Sequence, residues 1–181
     1  ALLELVRGRA RERLGEPVSA SAAPGGARAQ LLAKLSRARQ QLALAKVKNT
    51  VDLVEGALAQ GEKVLVFSGF EAPLARLHAH FGERSVLLTG KTPAAARQGL
   101  VDRFQQEAGV QVFCANLIAG GVGLNLTAAR QVVFNDLDWV PANHWQAEDR
   151  AYRIGQSGTV TVHYLVAAGT LDSFVQAVLE A

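Results

Sequence analysis

The 181-residue sequence contains no methionine and a single cysteine, Cys114. One cysteine excludes an internal disulfide and a cysteine-built metal site, and it fits a reducing compartment. No apolar run approaches the roughly 20 residues needed to cross a bilayer as a helix. The opening residues do not read as a secretory leader: Glu4 interrupts the apolar stretch, and Arg7 and Arg9 follow it instead of preceding it. With no methionine and Ala1 as its first residue, the chain is expected to be a piece of a longer protein. Charge of one sign is also scarce. A net charge of +3 is compatible with a polyanionic partner and requires none.

A phosphate-gripping P-loop is missing too. Gly90-Lys91-Thr92 imitates the tail of one, but the glycine required five residues earlier is Ser85. Val86-Leu87-Leu88 between them reads as strand, and Pro93 lacks an amide that such a cradle could use. No other segment fits the pattern. Metal ligands are poorly spaced. His78 and His80 do not share a helix face, and His144 and His163 have no suitably spaced companions.

What is present begins with residues 146–156, Gln-Ala-Glu-Asp-Arg-Ala-Tyr-Arg-Ile-Gly-Gln. A helix over 142–152 would place Asn143, Gln146, Arg150 and Arg153 in a stripe of about 80°. Two guanidinium forks side by side suit a phosphate chain. A solvated face, with the arginines paired to carboxylates such as Asp149, is the competing reading. Upstream lies a second feature, Ala119-Gly120-Gly121-Val122-Gly123-Leu124-Asn125-Leu126. Its glycines could bring backbone amides against phosphate or a nucleic-acid backbone, or simply form a tight turn under a helix. Leu126 at the sixth position weakens a dinucleotide-binding reading. Asp136 and Asp138 could bind a cation or cap the loop before Pro141. Trp139 could stack on a base or fill the core. Cys114, at a strand end, is expected to be buried and inert.

The surrounding pattern is α/β. Residues 1–14 and 28–45 read as helices, and 15–27 as a flexible, breaker-rich linker. Val47, Val51, Val54 and Leu58 form one apolar helical stripe that Gly61 ends. Strands are expected at 63–67, 85–88, 110–114, 132–134 and 160–165. Helices are expected at 73–81, 93–104 (capped by Thr92, with Pro93 first) and 171–179. Alternation of this kind predicts a mostly parallel sheet covered by helices on both faces, with ligands beyond the carboxyl ends of the strands.

In order and spacing, five segments resemble the second RecA-like lobe of the Swi/Snf-type ATPases of helicase superfamily two. Lys63-Val64-Leu65-Val66-Phe67-Ser68-Gly69-Phe70 is similar to motif IV, and Leu88-Thr89-Gly90-Lys91-Thr92-Pro93 with Arg97 and Phe104 to the segment that follows. The run from Ala119 to Ala129 resembles motif V, Asp136-Leu137-Asp138-Trp139-Val140-Pro141 the family's D-x-D-W-x-P, and Gln146 to Gln156 motif VI. The segment from Val162 to Thr170 further resembles the annealing-helicase branch and its bacterial relatives. The sequence departs from the family at Asn116, where Ser or Thr is usual, at Ile118, and at Lys91.

The resemblance implies a RecA-like lobe over 47–181, preceded by a helical lead-in over 1–46. It implies a DNA-dependent ATPase that translocates on double-stranded DNA. Arg150 and Arg153 would be arginine fingers, with Gln146 and Gly123 on this lobe's side of the nucleotide cleft. Ser68, Gly90, Lys91, Thr92, Asn116, Gly120, Gly121 and Trp139 would contact DNA. ATP and Mg2+ would be held mainly by a first lobe of the same chain, which carries the P-loop and the Asp-Glu box; neither is in this sequence. The fragment alone is then expected to be inactive, and the parent a monomer with no membrane partner. Its expected location is nuclear in a eukaryote, or cytoplasmic and nucleoid-associated in a bacterium. An RNA-remodelling lobe of the same superfamily would usually carry another arginine where Gln156 stands. A degenerate RecA-like binding module competes with these two readings, and a dinucleotide-binding domain does so more remotely. Arg7, Arg9, Arg11, Arg13, Arg28, Arg37 and Arg39 could follow phosphates or line solvated helix faces.

Overall fold

The computed structural model describes residues 25–118 and 124–180. The helix expected over 1–14, most of the 15–27 linker, and Gly120, Gly121 and Gly123 therefore lie outside the described residues. In chain order the elements are α1 (Gly25–Ala45), α2 (Val47–Ala59), β1 (Lys63–Ser68), α3 (Glu71–Phe81), β2 (Ser85–Leu88), α4 (Ala94–Gln106), β3 (Val112–Asn116), β4 (Ala129–Phe134), α5 (Pro141–Glu148), β5 (Thr161–Tyr164) and α6 (Leu171–Leu179). The five strands form one sheet in the order β2-β3-β1-β4-β5, and every pairing is parallel.

Strand alternation divides the core. Val64 and Val66 of β1 point to one face, where they meet Val112, Cys114 and Val133 and the apolar sides of α2 and α3 (Val54, Leu58, Leu74, Leu77, Phe81). Leu65 and Phe67 point to the other face, with Phe113, Val132, Phe134, Phe104 of α4 and Ala147 of α5. Because helices cover both faces, the central strand is apolar at nearly every position. This is the RecA-like α/β lobe that the resemblance implies. Gly61 ends α2 as expected: at φ +76° it takes the left-handed conformation, with its N–H on the Leu58 carbonyl. Cys114 is fully buried, and its apolar surroundings push the thiol up to about 12.

Several boundaries differ from expectation. Gly25, Gly26 and Ala27, the last three residues of the expected linker, already belong to helix α1. Strand β3 runs from Val112 to Asn116, two residues later than expected. Thr92 does not cap α4. Its Oγ1 accepts the Thr89 N–H (3.0 Å) in a tight local turn, and the cap position falls to Pro93. Helix α5 ends at Glu148, four residues early, for a tertiary reason. The Arg150 carbonyl, which a continuing helix would use internally, accepts the Leu126 N–H at 2.9 Å. The Ala151 carbonyl accepts the side-chain amide of Gln156.

Candidate nucleotide and nucleic-acid site

The carboxyl ends of β1, β2, β3 and β4 bring Ser68, Leu88, Asn116 and Phe134 to one edge of the sheet. Asp136 organises this edge. Its buried carboxylate accepts the Ser68 hydroxyl, the Gly69 N–H (2.9 Å) and the Asn135 amide (3.2 Å). Ser68 is itself fully buried, and its Oγ also accepts the Phe70 N–H. The Ser68 hydroxyl thus fastens the turn after β1 from inside. Asp138 Oδ1 accepts the Val140 N–H at 2.8 Å, the loop-capping role anticipated before Pro141.

Gly90 and Lys91 project from the turn after β2 and are exposed. The Lys91 ammonium contacts Glu71 at 2.6 Å, and that carboxylate raises its pKa. Asn116 Oδ1 accepts the Ile118 N–H at 3.1 Å, shaping the exit from β3. Trp139 does not lie open for base stacking. The Arg39 guanidinium covers its ring at 4.8 Å, and Phe174 packs against it edge-on. Arg39 also donates to the Leu137 carbonyl and lies 5.5 Å from the Phe70 ring centroid. That places Arg39 in a structural contact between α1 and the lobe.

The two arginines of residues 146–156 are held differently, which corrects the common stripe. Arg150 is buried, with its guanidinium over the Phe67 ring at 5.4 Å. Its buried Nη1 has no hydrogen-bond partner. Burial, and then the neighbouring charge of Arg153, lowers its pKa. Arg153 is exposed, and its Nε donates to the Asp149 carbonyl at 3.1 Å. It lines an open depression of about 1120 Å³ together with Tyr152, Ile154, Gln156 and Thr159. Gln146 is exposed one turn earlier. An ionised group buried without its full set of partners is costly, and here it lies beside a second cation. The solvated-face reading does not fit Arg150.

The family model for the helicase conserved C-terminal domain matches residues 45–155. The chain belongs to this family. Its relatives make the lobe Swi/Snf-type. The DNA annealing helicase and endonuclease ZRANB3 of Mus musculus is 37% identical over 158 residues, covering 85% of this chain and 15% of its own length. The chromatin-remodeling ATPase INO80 of Drosophila melanogaster is 40% identical over 117 residues, covering 63% of this chain and 7% of its own. The crystal structure of the C-terminal part of the Fun30 ATPase domain superposes with a TM-score of 0.69 at 28% identity, over 74% of this chain and 44% of that one. The Sulfolobus solfataricus SWI2/SNF2 ATPase core in complex with dsDNA gives 0.74 at 24% identity, over 98% of this chain and 40% of that one. At that identity the likeness shows the fold. This Swi/Snf-type C-terminal lobe thus spans 15% or less of the length of ZRANB3 and INO80.

Sequence reasoning missed three contacts of this lobe. Lys46, buried, pairs with buried Asp172 and donates to the Leu165 carbonyl. Thr50 donates to Asn135 Oδ1 at 2.6 Å, and Asn135 donates to the Ala43 carbonyl at 3.0 Å. Gln156 bonds the end of the motif V run to motif VI. The signal for the first two was faint: Lys46 and Thr50, four apart, border the apolar stripe of α2.

Proposed function

We propose that this lobe completes the active site of a DNA-dependent ATPase and forms part of a track for double-stranded DNA. The observation that carries the reading is the pair of unequal arginines. Arg150 is buried with an unpartnered Nη1, and Arg153 is exposed beside an open depression. In this reading both guanidinium groups meet the phosphates of ATP bound on a first lobe. Gln146 and Gly123 border the same cleft. Arg153 crosses to the transferring phosphoryl group when the lobes close, and Arg150 orients it and adds positive field. Contributions of this type are on the order of 10³–10⁵ in turnover, or about 4–7 kcal/mol. Closure on ATP and reopening after hydrolysis then move the lobe along DNA.

ATP in the parent is accompanied by Mg2+, which would neutralise phosphate charge. Among the described residues no group of three or more His, Cys, Asp or Glu could hold a metal ion. These residues do not fit a Mg2+ site of their own, and the lobe's part in turnover rests on its arginines. On the DNA side, Gly90, Lys91, Thr92, Asn116, Gly120 and Gly121 would contact one backbone strand. Contacts to backbone alone give little sequence selectivity and a strong salt dependence. Trp139 would act through the Arg39-braced loop, and Ser68 through Asp136.

The test compares this chain alone with its two-lobed parent in ATP hydrolysis, with and without duplex DNA. Turnover in the parent, stimulated by duplex of any sequence and weakened by salt, is the expected result, with none from the isolated chain. DNA-stimulated turnover by the isolated chain, or a parent indifferent to duplex, would refute the reading.

A further inference from the structure

The positive charge of the chain is unevenly placed. Residues 25–51 hold six lysines and arginines and no acidic residue, a net charge of +6. Residues 52–181 hold nine against thirteen acidic residues, a net charge of −4. A lobe body that is net acidic repels a polyanion at long range, so its attraction to one must come from a cationic element. Helix α1 with the first turn of α2 is that element.

One face of this stretch is fastened to the lobe and the opposite face meets solvent. The helical ladder runs on across the junction: the Lys46 N–H bonds the Leu42 carbonyl at 3.2 Å, and the Thr50 N–H bonds the Lys46 carbonyl at 3.0 Å. Leu32, Leu35, Arg39, Ala43, Lys46 and Thr50 follow one another at spacings of three or four and are half-buried or buried. Arg39 donates to the Leu137 carbonyl, the Ala43 carbonyl accepts from Asn135, Lys46 pairs with Asp172, and Thr50 donates to Asn135. Two of the six cations thus hold the helix in place. Gln30, Lys34, Arg37, Gln41 and Lys48 lie roughly 180° round the helix from that stripe, and all five are exposed. A merely solvated helix face ordinarily interleaves both signs of charge in pairs three or four apart. This face carries one sign only.

The direction of the helix sets where that charge stands. Helix α2 runs against the strands: Thr50 meets Asn135 just past the carboxyl end of β4, and Glu62, three residues beyond α2, meets Gln131 in the first half of that strand. Upstream of Thr50 the stretch therefore rises past the carboxyl edge of the sheet, where Arg39 reaches Phe70 after β1 and Trp139 after β4. Residues 25–38, about 20 Å of helix, continue beyond it. Gly90, Lys91 and Asn116 stand at the same edge.

We propose that the outer face of α1, centred on Lys34 and Arg37, is a second contact for the phosphate backbone of duplex DNA, separate from the turns at the strand ends. The inference rests on the reading of this lobe as part of a duplex track. The contact adds affinity without sequence selectivity, because both groups meet phosphate and neither meets a base edge.

The experiment measures duplex binding by the two-lobed parent, by fluorescence anisotropy over a series of salt concentrations. Lys34→Gln with Arg37→Gln removes both charges at exposed positions, and Lys34→Arg with Arg37→Lys keeps them. Each phosphate contact contributes about 0.9 to the slope of log affinity against log salt. The expected result for the neutral pair is a slope smaller by about 1.8 and an affinity weaker by about 10–100-fold at about 0.1 M salt. The charge-keeping pair should bind as the unaltered parent does, and both pairs should keep its unfolding temperature. Arg103→Gln removes an exposed cation of α4, on the opposite face of the sheet, and controls for net charge. An equal loss per charge there overturns the proposal. So does an unchanged slope in the neutral pair, including one accompanied by altered ATP turnover, which would make this face a contact for the first lobe. If Lys91→Gln lowers the slope and the neutral pair does not, the α1 contact alone fails. A parent without salt-dependent duplex binding overturns the track reading, and this inference with it.

Discussion

Replacing Arg150 with methionine separates stability from chemistry. The guanidinium is buried, its Nη1 is unpartnered, and it lies over Phe67 at 5.4 Å. Removing it relieves an unpaired buried donor, a gain of about 1–3 kcal/mol. It also loses a cation–π contact of about 0.5–2 kcal/mol, part of which a sulfur–aromatic contact restores. Desolvation, the first cause of the depressed Arg150 pKa, is removed with the guanidinium. The unfolding temperature of this lobe in the parent should therefore hold or rise, by about 2–4 °C per kcal/mol. Turnover at saturating ATP and duplex DNA should fall by about 10³-fold or more. Scanning fluorimetry and steady-state hydrolysis on the same preparation read both quantities. A variant that melts several degrees lower yet keeps its turnover would show that Arg150 serves the core and not the nucleotide.

Other outcomes follow from buried polar groups. Lys46→Ala leaves Asp172 buried without its cation and should lower stability by about 3–5 kcal/mol in denaturant titration, whereas the double replacement Lys46→Met with Asp172→Leu should recover most of the loss. Equal losses in the single and double variants would contradict this. His144 is buried, and burial lowers its pKa against the opposing pull of Asp138, Glu148 and Asp136. As pH falls through the unfolded value of about 6.5, the unfolded chain takes up the proton first, so acid favours unfolding and stability rises with pH towards neutrality. His144→Gln, which can still accept the Asp138 N–H, should flatten that part of the profile; an unchanged acid limb would refute the assignment.

Which features could be read from sequence follows from the range of the forces that set them. Residues 85–88 and 171–179 fell on their observed boundaries, because an apolar run or stripe between breakers is a local pattern. A mostly parallel sheet followed from the alternation of such runs. Helix α5 was overextended because no Gly or Pro interrupts 149–152, and its end is set by the Leu126 N–H and the Gln156 amide. Arg150 and Arg153 stood out by type and spacing, but their opposite exposures depend on that same early end. The environment of Trp139 was out of reach for a similar reason: Arg39, far back in α1, covers its ring. The buried place of Ser68 was likewise not legible, because its partner Asp136 comes from just beyond a neighbouring strand.

The central claim is that this lobe holds half of an active site, with Arg153 acting on a nucleotide bound elsewhere. Its most direct test is Arg153→Ala in the two-lobed parent, with kcat and the dissociation constants for ATP and duplex DNA measured together. The account predicts that turnover is abolished while both affinities stay near those of the unaltered protein. Near-normal turnover, or loss of ATP affinity large enough to explain the loss of turnover, would contradict it.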